Sequence, residues 1–181
     1  MIAGPRRALT VAGALAAVVV AADQLAKHWA VSSLGATPRQ VWWTLRWNLS
    51  FNRGMAFSTG QGAGVLIGVV ALGVVAAIVV SMLRAPSVPR PVSVAAGLVA
   101  GGALGNVIDR LFRGAGWLRG SVVDFIDLQW FPIFNLADAA INVGAATYLV
   151  WAVVFDRRAR APRSCWRCGR DRGADPRGAG R

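Results

Sequence analysis

The chain is short of charge. Only 15% of its 181 residues are charged, 55% are hydrophobic, and there is no glutamate. A soluble globule needs more polar surface than that, so the balance points to a protein immersed in lipid. Cysteine is nearly absent, with Cys165 and Cys168 both in the C-terminal tail. A single CxxC holds half the ligands of a structural zinc site and has no redox fold around it. It is read here as part of an arginine-rich, disordered extension. Lysine and histidine occur once each, as Lys27 and His28. A serine-type mechanism could pair one of them with the nearby Ser32 or Ser33, but adjacent positions on a helix point in different directions. All eight acidic residues are aspartates, and three lie beyond residue 155.

Long apolar runs are what the chain has in plenty. Residues 8–22, behind Arg6 and Arg7, would alone resemble a secretory signal peptide. Three further apolar segments make the first one a membrane span instead, and spans are expected at about 8–29, 63–83, 92–112 and 136–155. The expected fold is an all-α integral membrane domain of four transmembrane helices over 1–155, followed by the tail 156–181. A small interfacial β or loop element should join the first two helices. There the alternation around Trp42, Trp43 and Trp47 predicts a short strand or hairpin at headgroup level, a candidate cover for a lipid-embedded substrate. Gly54 and Gly60 imply tight backbone in the same loop. Gly97, Gly101 and Gly105 recur every fourth residue, a stripe that lets another helix approach closely.

The formal charge of +12 is divided equally between the body and the tail. No folded reader with interleaved aromatics accompanies the basic tail, so nucleic acid is not expected and anionic membrane lipids are the plainer partner. Thirteen of the twenty basic residues fall on the side of the two termini, which places both ends in the cytoplasm.

The polar residues of the body then converge. Asp23, Lys27, Asn52, Asn106, Asp109, Arg110, Asp124, Asp127, Asn135 and Asp138 all fall at one membrane face, whichever way the chain is oriented. Asp23 and Lys27 are four apart and can pair. Asn106, Asp109 and Arg110 are expected on one side of the last turn of the third helix. Asp124 and Asp138 flank one short loop, with Asn135 as a cap for the fourth helix and Asp138 in its first turn. Asp127 is expected to be a solvated loop carboxylate. Two carboxylates that share one proton can hydrolyse a peptide bond without metal or cofactor. The charged one takes a proton from water while the protonated one donates to the carbonyl oxygen. A proton-coupled carrier would also use membrane carboxylates, but it would show related halves and a midplane site, and neither is visible. A metal-dependent hydrolase, with aspartates holding Mg²⁺, is the other possibility, and excess EDTA would expose it.

Five ordered blocks carry a family resemblance: DQLAK (23–27), NRGMAF (52–57), GGALGNVIDR (101–110), VVDF (122–125) and FPIFNLAD (131–138). Together they resemble the lipoprotein signal peptidases, the type II signal peptidases of bacterial inner membranes, over roughly residues 8–155. The resemblance implies an intramembrane aspartic endopeptidase that needs no cofactor. Its substrates would be prolipoproteins carrying a diacylglyceryl-cysteine, cut just before that cysteine, with the active site near the outer face of the cell membrane. It implies Asp124 and Asp138 as the catalytic pair. Asn52, Gly54, Asn106, Arg110 and Asn135 match positions that line the site, and Asp23 and Lys27 match supporting positions on the first helix.

Overall fold

The computed structural model describes residues 2–54, 63–114 and 116–156. Four long helices dominate it: α1 (Pro5–Ser33), α2 (Ala63–Arg84), α3 (Arg90–Phe112) and α4 (Leu136–Trp151), the last running on into a π-helical turn, Ala152–Asp156. Each carries a stretch long and apolar enough to cross a membrane. At one end of the bundle β1 (Ile2–Ala3) pairs with β4 (Val88–Pro89), tying the N-terminus to the turn between α2 and α3. At the other end β2 (Arg39–Trp42), β3 (Leu45–Asn52) and β5 (Val122–Asp127) form an antiparallel sheet in the order β2-β3-β5. The fold is the expected one, four helices and a small β element. The tail with Cys165 and Cys168, and Gly60 in the 55–62 stretch, lie outside the described residues.

α3 is the centre of the bundle because glycine lets two neighbours touch its backbone. A Cβ on Gly97 would come within 2.7 Å of the Ala12 carbonyl oxygen, and one on Gly101 within 2.8 Å of Val19 Cβ, so this stripe receives α1. A quarter-turn away, a Cβ on Gly102 would collide with the carbonyl of Ala137, and one on Gly144 would press on Val99 and Ala95. That stripe receives α4. The same periodicity carries on to the polar end of the helix. Gly105 and Asp109 continue toward α1, Asn106 lies between α1 and α4, where it meets Lys27 and Asp138, and Arg110 turns to the cavity between the helices.

The sheet is docked on α1 by a small apolar cluster. Buried Ala30, Val123 and Phe125 are joined there by the half-buried Trp47, Leu49 and Ile126. Trp47 meets Trp29 edge-on, with ring centroids 5.5 Å apart, and also packs on Phe125. Trp47 is therefore mortar between helix and sheet, while Trp42 and Trp43 stand exposed at the hairpin tip.

Candidate active site

Asp124 lies within β5, opposite Ser50 of β3, and its residue is 3% exposed. The sequence marks it as flanking a loop, and the strand that carries it is a finding of the structure. The run VVDFID is buried on both faces, and such a run reads as apolar sequence rather than as alternation. Asp127, at the end of the strand, is also buried rather than solvated. It accepts from Arg46 at 2.7 Å, from Asn48 at 2.8 Å and from the Gln129 backbone at 2.7 Å. Burial alone would raise its pKa, but the Asn48, Arg46 and Gln129 N–H groups outweigh it and hold the carboxyl below the usual range. These bonds also shape the chain reversal after β5. Phe134 then bonds back onto Ile126 in both directions, at 2.9 and 3.0 Å. The reversal delivers the next residue, Asn135, beside Asp124.

Asn135 joins the two aspartates. As the N-cap of α4, its side-chain oxygen accepts from the Asp138 N–H at 2.9 Å, and the Asp138 carboxylate accepts from the Asn135 N–H at 3.3 Å. With its oxygen committed to the cap, the Asn135 amide turns its NH₂ outward, to Asp124 Oδ1 at 2.7 Å and Asn106 Oδ1 at 3.1 Å. The other oxygen of Asp124 accepts from Asn52 at 3.2 Å, and Asn106 donates to Asp138 Oδ1 at 2.8 Å. Asn52 is set by the turn after β3, where its oxygen accepts from the Gly54 N–H at 2.9 Å. Gly54 has φ 130°, which a side chain would strain. Burial, and next to it the charge on Asp138, push the Asp124 carboxyl up to about 6, against the pull of the Asn52 and Asn135 bonds and of Lys27.

Behind this layer lies an ionic network. Lys27 Nζ sits 2.7 Å from Asp23 and 2.9 Å from Asp109, and all three side chains are fully buried. Asp23 also accepts from the Ala137 N–H at 2.9 Å, at the start of α4. Asp109 collects further bonds from Gln24 at 3.2 Å, Arg113 at 2.8 Å and the Val123 N–H at 3.2 Å, so one carboxylate ties α1, α3 and β5 together. Asn106, Asp109 and Arg110 share one side of the last turn of α3, with Asp109 at its edge toward α1 and Arg110 at its edge toward the cavity, and Lys27 reaches both Asn106 and Asp109.

The aspartates open onto a cavity of about 400 Å³. Asn52, Gly54, Asn106, Arg110, Asp124 and Asp138 make its polar end, and apolar residues of α2, α3 and α4 such as Ile67, Val74, Val99 and Ile141 make the rest. Arg110 is 5% exposed, and its Nη1 has no hydrogen-bond partner among the described residues. A buried guanidinium donor without a partner is costly and ready for an acceptor brought in by a ligand.

Comparison with known proteins decides the family. The family model described as signal peptidase (SPase) II matches residues 15–155. The chain belongs to the signal peptidase II family. It is 41% identical to the lipoprotein signal peptidase of Mycolicibacterium smegmatis over 157 residues, 84% of this chain and 65% of that protein. It therefore spans just under two thirds of that relative's length. With the lipoprotein signal peptidase of Mycobacterium avium it shares 39% identity over 153 residues, 83% of this chain and 82% of that one. It is also similar to a solved bacterial membrane enzyme structure obtained by the in meso method at 2.3 Å. The TM-score is 0.73, with 26% identity over 86% of this chain and 94% of that chain. Membership of the signal peptidase II family fits a bacterial multi-pass membrane protein of the peptidase class.

Set beside the family's resemblance blocks, the structure gathers Asn52, Gly54, Asn106, Arg110, Asp124, Asn135 and Asp138 around one cavity or in its first hydrogen-bonded layer. Asp23, Lys27 and Asp109 fall behind it. Gln24 and Arg113 were not singled out from the sequence, yet both bond Asp109. The spacing of four between Asp109 and Arg113 was the available signal. The serine alternative finds no pair here. Ser32 bonds the Trp29 carbonyl, His28 is exposed, and Lys27 is turned into the aspartate network.

Proposed function

We propose that this chain is an intramembrane aspartic endopeptidase that removes signal peptides from prolipoproteins, cutting before a diacylglyceryl-modified cysteine. The observation that carries the reading is the joining of Asp124 and Asp138 through one residue, Asn135, at the polar end of an otherwise apolar cavity. A lipidated peptide has the same division, with a scissile amide beside acyl chains. Asp124, the more buried carboxyl, raised by its burial and by the charge on Asp138, holds the shared proton, and Asp138 takes the part of the ionised partner. Water bound between them loses a proton to Asp138 as its oxygen attacks the carbonyl carbon, while Asp124 gives its proton to the carbonyl oxygen. Asp138 then gives its new proton to the leaving nitrogen while Asp124 takes one back from the diol, so the C–N bond breaks and the pair returns to its starting state. Arg110 Nη1, without a partner among the described residues, supplies a donor for a substrate carbonyl. Both termini lie in the cytoplasm and the sheet end of the bundle at the outer face, following the distribution of basic residues. The tail 156–181 is an appendage to the peptidase domain.

The direct test compares one prolipoprotein with and without its diacylglyceryl group, in micelles containing excess EDTA. Cleavage confined to the lipidated form, undiminished by chelation, is the expected result. Equal cleavage of both forms would remove the lipid from the recognition model, and loss of activity in EDTA would point to a metal enzyme.

The position of the Asp124 proton gives a second expectation. kcat/KM should fall about tenfold per pH unit as pH rises beyond about 6, because the free enzyme then loses the proton that the mechanism donates. A flat profile from about pH 5 to 8 would exclude Asp124 as the proton holder. Stability follows the same sign. The folded state keeps a proton that the unfolded chain releases near 3.8, so this group's contribution is complete below 3.8 and lost as pH rises through about 6.

A further inference from the structure

Lys27 makes one bond that the ionic network does not explain. Two of its contacts go to Asp23 and Asp109, and the third goes to Asn106 Oδ1 at 2.9 Å. An ammonium carries three protons and no lone pair, so only an oxygen can face it. Asn106 Oδ1 also takes the Asn135 NH₂ at 3.1 Å, which leaves Asn106 with nothing but N–H to offer Asp138.

We infer that Lys27 is a positioning residue of the catalytic centre: acting through Asn106, it keeps an N–H donor on Asp138 Oδ1 throughout turnover. The inference rests on Asp138 belonging to the catalytic pair. During the reaction Asp138 passes from carboxylate to acid. A free amide beside it would then turn over and present its carbonyl to the new O–H, stabilising the proton where the next step must give it up. With Lys27 in place that turn would set the Asn106 NH₂ against an ammonium and the Asn135 NH₂, three donors with no acceptor. The proton on Asp138 therefore finds no acceptor in Asn106 and moves on to the leaving nitrogen. The cation also polarises the amide it bonds, strengthening donation at the far side. A Lys27 that only balanced Asp23 and Asp109 would need neither the third bond nor its direction.

A double-mutant cycle separates these roles. Lys27→Met is combined with Asp23→Asn so that the buried charge stays balanced, and this pair is made in the native chain and in Asn106→Ala. In the native chain the pair should lower kcat about tenfold with KM changed less than about twofold, and in the Asn106→Ala chain it should cost less than about twofold more. Equal losses in the two chains, or no loss of kcat in the native one, would overturn the inference. Asn106→Asp keeps a partner for Lys27, and hence a route to the fold, but has no N–H for Asp138. It should lose at least as much kcat as Asn106→Ala, and near-native turnover in this variant would also overturn it. If Asp138→Asn remained active, the catalytic reading would fail first; an essential Asp138 without coupling between Lys27 and Asn106 would remove this inference alone.

Discussion

Replacing either Asp124 or Asp138 with asparagine is expected to lower kcat for a lipidated prolipoprotein by at least about 10³-fold, since in the proposed mechanism each acts in proton transfer and the two act as a unit. Asparagine keeps the shape of the carboxyl but cannot pass a proton. The local consequences differ between the two positions. At Asp124 the Asn52 and Asn135 NH₂ groups both donate inward, and their own oxygens are held by the Gly54 and Asp138 N–H groups. An amide at 124 therefore sets one N–H against another, which offsets the relief of removing a buried charge beside Asp138. At Asp138 the variant can keep an oxygen for the Asn135 N–H, so the cap of α4 survives, while its NH₂ meets the Asn106 N–H that bonded the carboxylate. Both proteins should unfold within a few degrees of the native chain, since a change of about 1 kcal/mol moves Tm by only a few degrees at this size. A folded Asp124→Asn or Asp138→Asn enzyme with turnover within tenfold of native would sink the dyad. The double variant should be no slower than the worse single one.

Asp109→Ala is expected to have the largest effect on stability, about 3–5 kcal/mol, as is typical when one member of a buried ionic network is removed. Its carboxylate takes bonds from Lys27, Gln24, Arg113 and the Val123 backbone, and it is fully buried. Alanine leaves a backbone N–H and two cationic side chains short of a partner, and it unties β5 from α3. Because β5 carries Asp124, the loss should appear both as a lowered unfolding temperature and as a smaller active fraction, with the residual folded enzyme keeping most of its KM. Asp109→Asn retains an acceptor oxygen and should lose less. A shift below about 1 kcal/mol in Asp109→Ala would mean that helix packing alone holds the sheet end.

Much of this protein is legible in its sequence. Runs of apolar residues as long as the bilayer is thick have one common use, so four spans followed from counting. Buried charge is costly in such a setting, so the gathering of every aspartate of the body at one membrane face marked the candidate site. The capping relation between Asn135 and Asp138 is local, three residues apart, and it appears as expected. What failed to show was non-local or masked by burial. That Asp124 sits within a strand was not legible, because VVDFID lacks alternation. Its strand exists through pairing with β3, more than 70 residues earlier, which no local pattern records. Asp127 looked solvated for the same reason, since Arg46 and Asn48 reach it across that pairing. Trp47 read as part of a cover, and its packing on Trp29 and Phe125 makes it part of the joint between α1 and the sheet.

By itself, then, the sequence determined four membrane-length helices, a polar face at one end of them, a helix cap with an aspartate inside it, and a glycine stripe ready for a neighbour. These follow from length, period and short-range hydrogen bonding, which act within a few residues of chain. Only the tertiary structure decided that Asn135 would hold two aspartates at once, and that Asp109 would turn to α1 while its neighbour Arg110 faced the cavity. It also decided that Lys27 would reach Asn106. Each of these depends on contacts between elements distant along the chain, and their geometry is set by packing rather than by any local preference.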